Sequence, residues 1–252
     1  MIRGARPARM IAAAGVSALL GAALLVGCAT DEPARPAASA PAPAPASPAP
    51  SPSPTPAPVG IAATAGGASV AVHSAPDGEL VDTLASPISS GAPLTFLLVE
   101  ARGDWLQVAL AQRPNGSTGW IRASEVSLAR LEYSLVVSTA ENTLSVYRND
   151  ELVEAYPAAT GTGGTPTPLG AFYLTELLEP TNAGYGPFAF GLSAFSDVLT
   201  SFGGGPGQIG LHGTEDTASI GTAVSHGCIR LSNEVITALA QVLPLGTPIT
   251  IE

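Results

Sequence analysis

The chain has 252 residues, a length that allows one large domain or two small ones. Twenty acidic residues stand against ten basic residues, all of them arginine, so the formal net charge is −10 at pH 7. Such an acidic surface repels nucleic acid, which excludes the nucleic-acid-binding classes.

Residues 1–28 are predicted to be an export signal. A basic start is followed by an apolar run from about Met10 to Val26 and by small residues before Cys28. The sequence Leu-Val-Gly-Cys that ends at Cys28 resembles a lipobox, in which the cysteine is lipidated and becomes the mature N-terminus. An uncleaved anchor or simple secretion are the alternatives, although the apolar run is near the short end for a membrane span. All three readings place the protein outside the cytoplasm.

Residues 29–59 are predicted to be a disordered tether. Eleven prolines lie between Pro33 and Pro58, and most of the remaining residues are alanine and serine. Proline favours extended polyproline II backbone, and at about 3.1 Å per residue the tether would reach on the order of 80 Å.

Residues 60–129 are predicted to form a small β barrel of about five short strands. Alternating or apolar runs over 69–73, 94–99, 105–110 and 119–121 are separated by turn signals at 75–78 and 113–116. The segments 103–108 and 119–121 resemble bacterial SH3-like domains. Such a unit could bind cell-wall peptide or glycan, but we favour the alternative that Trp105 and Trp120 fill the barrel core and the unit positions its neighbour. His73 is expected at the surface.

Residues 131–252 are predicted to form a second β-rich unit. Strands are expected over 134–138, 142–147, 152–156, 171–174, 208–211 and 248–251, with a hairpin turn at 148–151. A helix is expected over about 233–242, capped by Ser232. The loop 161–169 is too rich in glycine and proline for regular structure. The long segment 180–207 is predicted to be irregular, and it serves either as a lid or binding loop or as ordinary core filling.

The stretch Ser225–Arg230 carries the chemistry. If Cys28 is lipidated, Cys228 is an unpaired thiol in an oxidising compartment, so it must be buried or functional. A thiol becomes a good nucleophile when a histidine takes its proton. Backbone N–H groups around Gly227 could hold the oxyanion that forms when a carbonyl is attacked.

These residues resemble the signature of the L,D-transpeptidases, the YkuD-type cell-wall enzymes. The resemblance rests on His212-Gly213-Thr214, the spacer Gly221 and the run 225–231, Ser-His-Gly-Cys-Ile-Arg-Leu. It extends to the segments 165–170, 190–193 and 246–251, and so covers residues 131–252. The fold it implies is mainly β, with a small SH3-like barrel followed by a β-rich catalytic domain that has a short helix after the cysteine motif.

The resemblance also implies a role for each site residue. Cys228 would be the nucleophile and His212 its base, with His226 orienting the loop and the N–H groups of Gly227 and Cys228 as oxyanion donors. The substrate-binding positions would be Ser225, which would brace a histidine; Arg230, which would meet a substrate carboxylate or hold the loop; Gly213; and Tyr185. Some motifs of the family have asparagine where Arg230 stands.

The implied reaction needs no cofactor and no metal. A peptidoglycan tetrapeptide stem would be cleaved before its terminal D-alanine, and the side-chain amine of a second stem would accept the acyl group in a 3→3 cross-link. Carbapenem-type β-lactams would acylate the same thiol. Transfer to water or to a protein amine is an alternative within this chemistry. A zinc hydrolase using His212, His226 and Cys228, and a non-catalytic cell-wall binding lipoprotein, are the alternatives outside it.

Overall fold

The structure is a computed structural model that describes residues 60–202 and 204–252. The predicted lipidation site Cys28, the export signal 1–28 and the tether 29–59 lie outside these residues. All described residues belong to one compact unit. Within the described part of the chain, no helix is long and apolar enough to cross a membrane.

The first half of the described chain forms one antiparallel sheet, whose strand order is β3-β2-β6-β5-β4-β1-β7. Its strands are β1 Ile61–Ala65, β2 Ser69–His73, β3 Leu80–Ala85, β4 Thr95–Arg102, β5 Trp105–Ala109, β6 Thr118–Arg122 and β7 Val126–Arg130. The predicted strands therefore correspond to β2, β4, β5 and β6, whereas β1, β3 and β7 were not predicted. The residues of β3 are almost all exposed, so its sequence carries no alternating signal. The likeness to SH3 domains stays a prediction.

The two tryptophans differ from expectation. Both are buried, but the core of this sheet is formed by Leu106, Val108, Ile121 and their neighbours. Because side chains alternate along a strand, Trp105 faces away from Leu106, and the Arg122 guanidinium covers its ring at 3.8 Å.

His73, which was expected at the surface, is half-buried. Its Nδ1 hydrogen-bonds the carbonyl oxygen of Gly78 at 2.9 Å, and its ring packs edge-on against Trp105, with the centroids 4.9 Å apart. The histidine is thus part of the packing around the tryptophan.

The second half forms an eight-stranded sheet, a two-stranded sheet and one helix. Their bounds are β8 Tyr133–Ser138, β9 Thr143–Arg148, β10 Glu151–Pro157, β11 Thr160–Gly161, β12 Gly170–Leu178, β13 Ala189–Phe195, β14 Gln208–His212, β15 Ala223–Ser225, β16 Ile229–Arg230, α1 Asn233–Val242 and β17 Pro248–Ile251. The large sheet has the order β10-β9-β8-β17-β12-β13-β14-β16, and β11 pairs in parallel with β15. The expectation of a mainly β fold with one short helix after the cysteine motif is confirmed.

Local chemistry explains several of these elements. Ser232 caps α1 by accepting a hydrogen bond from Val235 N–H, as predicted. Asn149 and Asp150 both have positive φ, 51° and 67°, which is the backbone of the tight hairpin turn predicted between β9 and β10.

The segment 180–207 was wrongly predicted to be irregular throughout, because it contains β13. All seven residues of β13 are buried. A strand that is covered on both faces shows a continuous apolar run instead of alternation, so its period is invisible in the sequence. Phe190 and Phe195 belong to this strand, whereas Tyr185 ends the short 3₁₀ helix Ala183–Tyr185 before it and Phe202 lies in the loop after it.

Candidate active site

Cys228 lies in the short loop between β15 and β16, beside the end of β14. Its sulfur accepts a hydrogen bond from Gly210 N–H at 3.4 Å. The residue keeps part of its surface open, but protein atoms surround the sulfur closely enough that burial raises the pKa of the thiol. The Gly210 hydrogen bond and the charge of Arg230 oppose that rise only in part. The thiol is therefore protonated at neutral pH.

His212 ends β14 and is buried, with 3% of its surface exposed. Its Nδ1 lies 2.6 Å from the carbonyl oxygen of Gly213. A carbonyl can only accept, so Nδ1 carries the proton, and Nε2 is the acceptor in the neutral ring. Burial, helped by the charge of Arg230 and opposed by the Gly213 hydrogen bond, lowers the pKa of His212 from 6.5 to about 4. The ring is thus a neutral base at pH 7.

The Cys228 sulfur and the His212 ring both lie close to Gly210, on the side where its side chain would be. A Cβ atom added to Gly210 would lie 3.6 Å from Cδ2 of His212 and 3.8 Å from Sγ of Cys228. Cδ2 is bonded to Nε2, so the basic nitrogen is one bond away from the ring atom that borders this space. Both residues line one groove of about 440 Å³. Because one pKa is raised and the other lowered, the resting pair is uncharged, and any proton transfer must accompany attack on a substrate.

The cysteine loop is shaped by Ser225, not by a histidine. The Ser225 hydroxyl donates to the carbonyl oxygen of Cys228 at 2.6 Å and accepts from Gly227 N–H at 3.0 Å. The buried Ser225 side chain therefore braces the cysteine loop and not a histidine, and its predicted contact with substrate stays a prediction.

The same geometry corrects the expected pair of oxyanion donors. The N–H of Gly227 is already bonded to Ser225, whereas that of Cys228 has no hydrogen-bond partner among the described residues. Gly227 has φ +117°, a conformation that favours glycine, and a Cβ atom there would lie 3.1 Å from Cδ1 of Ile209. Glycine is thus required at this position for backbone geometry.

The loop between β11 and β12 holds the cysteine loop in place. The Thr167 hydroxyl donates to the carbonyl oxygen of Gly227 at 3.0 Å and accepts from Gly161 N–H at 2.9 Å. The Thr165 hydroxyl donates to the carbonyl oxygen of Ser225 at 3.3 Å. These contacts give a physical role to the segment 165–170, which the sequence marked only by resemblance.

His226 is exposed, and its predicted role in orienting the loop stays a prediction. Its ring stacks on Phe202, with centroids 5.5 Å apart and planes 30° apart, and it makes no hydrogen bond among the described residues. Phe202 lines the groove beside Cys228, and both Phe202 and His226 line a small pocket that also borders Cys228. Sequence analysis placed Phe202 in an aromatic segment but gave it no role.

Tyr185 and Gly213 complete the surroundings of His212. The Tyr185 ring lies 4.6 Å from the imidazole, centroid to centroid, and lines the groove. Burial raises the pKa of the Tyr185 hydroxyl. Gly213 is buried and its carbonyl fixes the His212 tautomer, whereas its predicted contact with substrate stays a prediction.

Arg230 supplies an unpaired positive charge close to the site. It influences the pKa values of Cys228, His212 and Tyr185. Its Nε is buried without a hydrogen-bond partner, and none of the ion pairs of residues 60–202 and 204–252 involves its guanidinium. A buried donor left unpaired is costly, so this side chain is suited to an anionic ligand.

The first sheet reaches the groove through the turn after β5. The Arg113 guanidinium donates to the carbonyl oxygens of Pro206 at 2.7 Å and Ser196 at 2.8 Å. Asn115 pairs with both backbone groups of Phe195, at 2.8 and 2.9 Å. These contacts fix the two ends of the loop that carries Phe202. Sequence analysis identified these residues only as a turn signal.

The site offers no metal centre of the kind the zinc alternative requires. In the described ranges, no three histidine, cysteine, aspartate or glutamate side chains are placed to share an ion.

Comparison with known proteins places the chain in a family. Residues 132–251 match the YkuD L,D-transpeptidase catalytic domain. The putative L,D-transpeptidase YkuD of Bacillus subtilis is 38% identical over 122 residues, which are 48% of this chain and 66% of that protein. The putative L,D-transpeptidase YqjB of the same organism is 31% identical over 122 residues, covering 46% of this chain and 69% of YqjB. The chain belongs to the L,D-transpeptidase family.

A solved structure gives a weaker likeness. Bd1075 of Bdellovibrio bacteriovorus is 31% identical, covers 48% of each chain and superposes with a TM-score of 0.38. That score is too low to support an argument about the site.

Proposed function

We propose that this protein is a peptidoglycan L,D-transpeptidase that forms 3→3 cross-links through a thioester on Cys228. The observation that carries the proposal is that the Cys228 sulfur and the His212 ring both lie close to Gly210, inside one groove. Membership of the family supports the substrate class.

In the first half-reaction the donor stem is attacked at the carbonyl before its terminal D-alanine. Nε2 of His212 takes the thiol proton as Sγ of Cys228 bonds to the carbonyl carbon. The N–H of Cys228, which has no hydrogen-bond partner among the described residues, would stabilise the oxyanion. When the tetrahedral intermediate collapses, His212 returns the proton to the amine of D-alanine, which leaves, and the acyl group remains on sulfur.

In the second half-reaction the side-chain amine of an acceptor stem attacks the thioester. His212 takes a proton from the attacking amine and returns it to the sulfur, so an amide forms and the thiol is regenerated. Water in place of the amine would make the enzyme an L,D-carboxypeptidase, and a protein amine would make it a wall-attaching transferase. The same residues serve all three outcomes.

Arg230 is proposed to bind a carboxylate of the stem peptide. Its buried, unpartnered Nε and its lack of an acidic partner in the described chain support this role. A guanidinium pairs with carboxylate by two parallel hydrogen bonds, which would fix the stem relative to the thiol.

The proposed setting is the outer face of the membrane. Lipid on Cys28 would anchor the chain, and the tether 29–59 would let the folded part reach the wall. Both segments lie outside the described residues, so these assignments rest on the sequence alone. The first sheet would then act mainly as a support for the groove, through Arg113 and Asn115.

The test is turnover of defined stem peptides by purified protein. Wild-type protein given a tetrapeptide stem should release D-alanine and form a peptide dimer that mass spectrometry identifies as 3→3 linked, whereas Cys228→Ala protein should do neither. Release of D-alanine without dimer would instead assign carboxypeptidase activity. Unchanged turnover in the Cys228→Ala protein would contradict the proposed mechanism.

A further inference from the structure

The groove that holds the Cys228 thiol also holds a carboxylate, that of Glu176. Two glycines lie between these two groups. Glu176 pairs with Gly191 across β12 and β13, and Gly191 pairs with Gly210 across β13 and β14. Residues that pair directly in adjacent antiparallel strands present the same face of the sheet. Glu176, Gly191 and Gly210 therefore form one row on the groove side, and all three line the groove.

The Glu176 carboxylate lies close to Gly191, and the Cys228 sulfur lies close to Gly210. A Cβ atom at Gly191 would lie 2.6 Å from Oε1 of Glu176, and one at Gly210 would lie 3.8 Å from Sγ of Cys228. Directly opposed Cβ positions are about 4.5–5.5 Å apart, so the carboxylate and the sulfur lie within about 12 Å of each other. No side chain of the row separates them, because both intervening residues are glycine.

The placement of Glu176 comes from a local irregularity in its strand. The pairing of β12 with β13 shifts register between Leu174 and Glu176. Such a bulge re-aims the side chains that follow it. The result is that a charged residue in the second sheet points along the floor of the groove instead of into solvent.

The Glu176 carboxylate has no cationic partner among the described residues. The ion pairs found there join arginines to Glu100, Asp77 and Glu132. The nearby Gln208 amide is already committed, since its Nε2 donates to the Thr175 hydroxyl at 3.1 Å and to the Leu192 carbonyl at 2.8 Å. The carboxylate is half-buried, so a cation that reaches it would be bound partly out of water.

We propose that Glu176 is an ammonium-binding subsite of this groove. Resting on the proposed function, the inference identifies the ligand as the side-chain ammonium of the diamino residue in a stem peptide. An ammonium is compact and donates three hydrogen bonds, so it fits above a floor without side chains. Arg230 and Glu176 would then bind the two oppositely charged groups of the substrate.

The ammonium can come from the donor stem or from the acceptor stem, and the experiment has one arm for each. In the donor arm, calorimetry measures the binding of a tetrapeptide stem to Cys228→Ala protein, with the side-chain amine either free or acetylated. In the acceptor arm, the acyl-enzyme is allowed to partition between water and a free amino acceptor, and the acceptor concentration for half-maximal aminolysis is measured.

Glu176→Gln should weaken the free-amine ligand about tenfold in at least one arm, as expected for a lost hydrogen bond to a charged group. Binding of the acetylated peptide and the rate of thioester hydrolysis should stay unchanged. Glu176→Asp, which keeps the charge, should recover part of the affinity. Glu179→Gln is the matched control, because Glu179 follows β12, is exposed and does not line the groove.

An effect in the donor arm alone assigns the donor stem, and an effect in the acceptor arm alone assigns the acceptor. An equal loss for free and acetylated peptides, no loss in either arm, or the same loss in Glu179→Gln would overturn the proposal. Calorimetry on the Cys228→Ala protein requires no turnover. A wild-type protein that releases no D-alanine would therefore count against the proposed function, while the calorimetric arm would still decide whether Glu176 binds the ammonium of the donor stem.

Discussion

Replacing His212 by glutamine tests the base of the proposed mechanism. Glutamine can hydrogen-bond but cannot accept a proton, and loss of a positioned general base typically slows a reaction by about 10²- to 10⁴-fold. The thiol would not compensate, because burial raises the pKa of Cys228 and little thiolate exists at neutral pH. We therefore expect acylation by a carbapenem at pH 7 to fall by that order in His212→Gln protein.

The pH dependence makes this prediction specific. His212 acts as a base only when it is unprotonated, and its pKa is lowered to about 4. The acylation rate of the wild type should therefore fall at acid pH only near pH 4, well below the ordinary histidine range. In His212→Gln this acid limb should disappear, and the rate should instead rise towards alkaline pH as thiolate forms.

The assay is the rate of mass gain by the protein between pH 3.5 and 9, with thiol alkylation as a second readout. His226→Gln is the control, because His226 is exposed and contacts Phe202 instead of the thiol. It should slow acylation less and keep the acid limb. An acid limb that survives in His212→Gln, or a larger shift of the profile in His226→Gln, would refute the assignment of the base.

Further predictions concern stability and anchoring. Between pH 6.5 and 4 the unfolded chain binds a proton at His212 that the folded chain does not, because the pKa of His212 is lowered in the folded state. The free energy of unfolding should therefore fall by about 3 kcal/mol across this range. Urea titrations of His212→Gln protein should lack this decrease. Arg113→Ala should cost about 1–3 kcal/mol and slow acylation, because it leaves loop carbonyls unpaired. Arg102→Ala, which removes only an exposed ion pair and a surface ring contact, should change unfolding and acylation little; equal effects would contradict the supporting role of Arg113. Gly227→Ala should destabilise the fold by about 1–2 kcal/mol, since alanine resists positive φ, and unchanged unfolding would contradict that reading. Cys28→Ala should move the protein from the detergent phase to the aqueous phase, and unchanged partitioning would count against lipidation.

Much of the second unit could be predicted because its patterns are local. Alternation predicted β8 and β9, a serine cap predicted α1, and a strand ending at His212 followed from a short apolar run. The strand β13 escaped prediction because burial on both faces removes its period.

The roles within the site were harder to predict, since they depend on contacts distant in sequence. Ser225 is occupied by its own loop, and Gly213 acts through its carbonyl, neither of which a motif reveals. The row formed by Glu176, Gly191 and Gly210 appears only when three strands are placed in register. Sequence identified the nucleophile and base as candidates, but the surroundings required the fold.

The most direct test of the central claim is covalent labelling of Cys228. The soluble fragment from about Gly60, incubated with a carbapenem and measured by intact-protein mass spectrometry, should gain the mass of one drug molecule, and peptide mapping should place it on Cys228. Cys228→Ala protein should gain nothing. An equal mass gain in Cys228→Ala, or a label mapped to another residue of the wild type, would contradict the account.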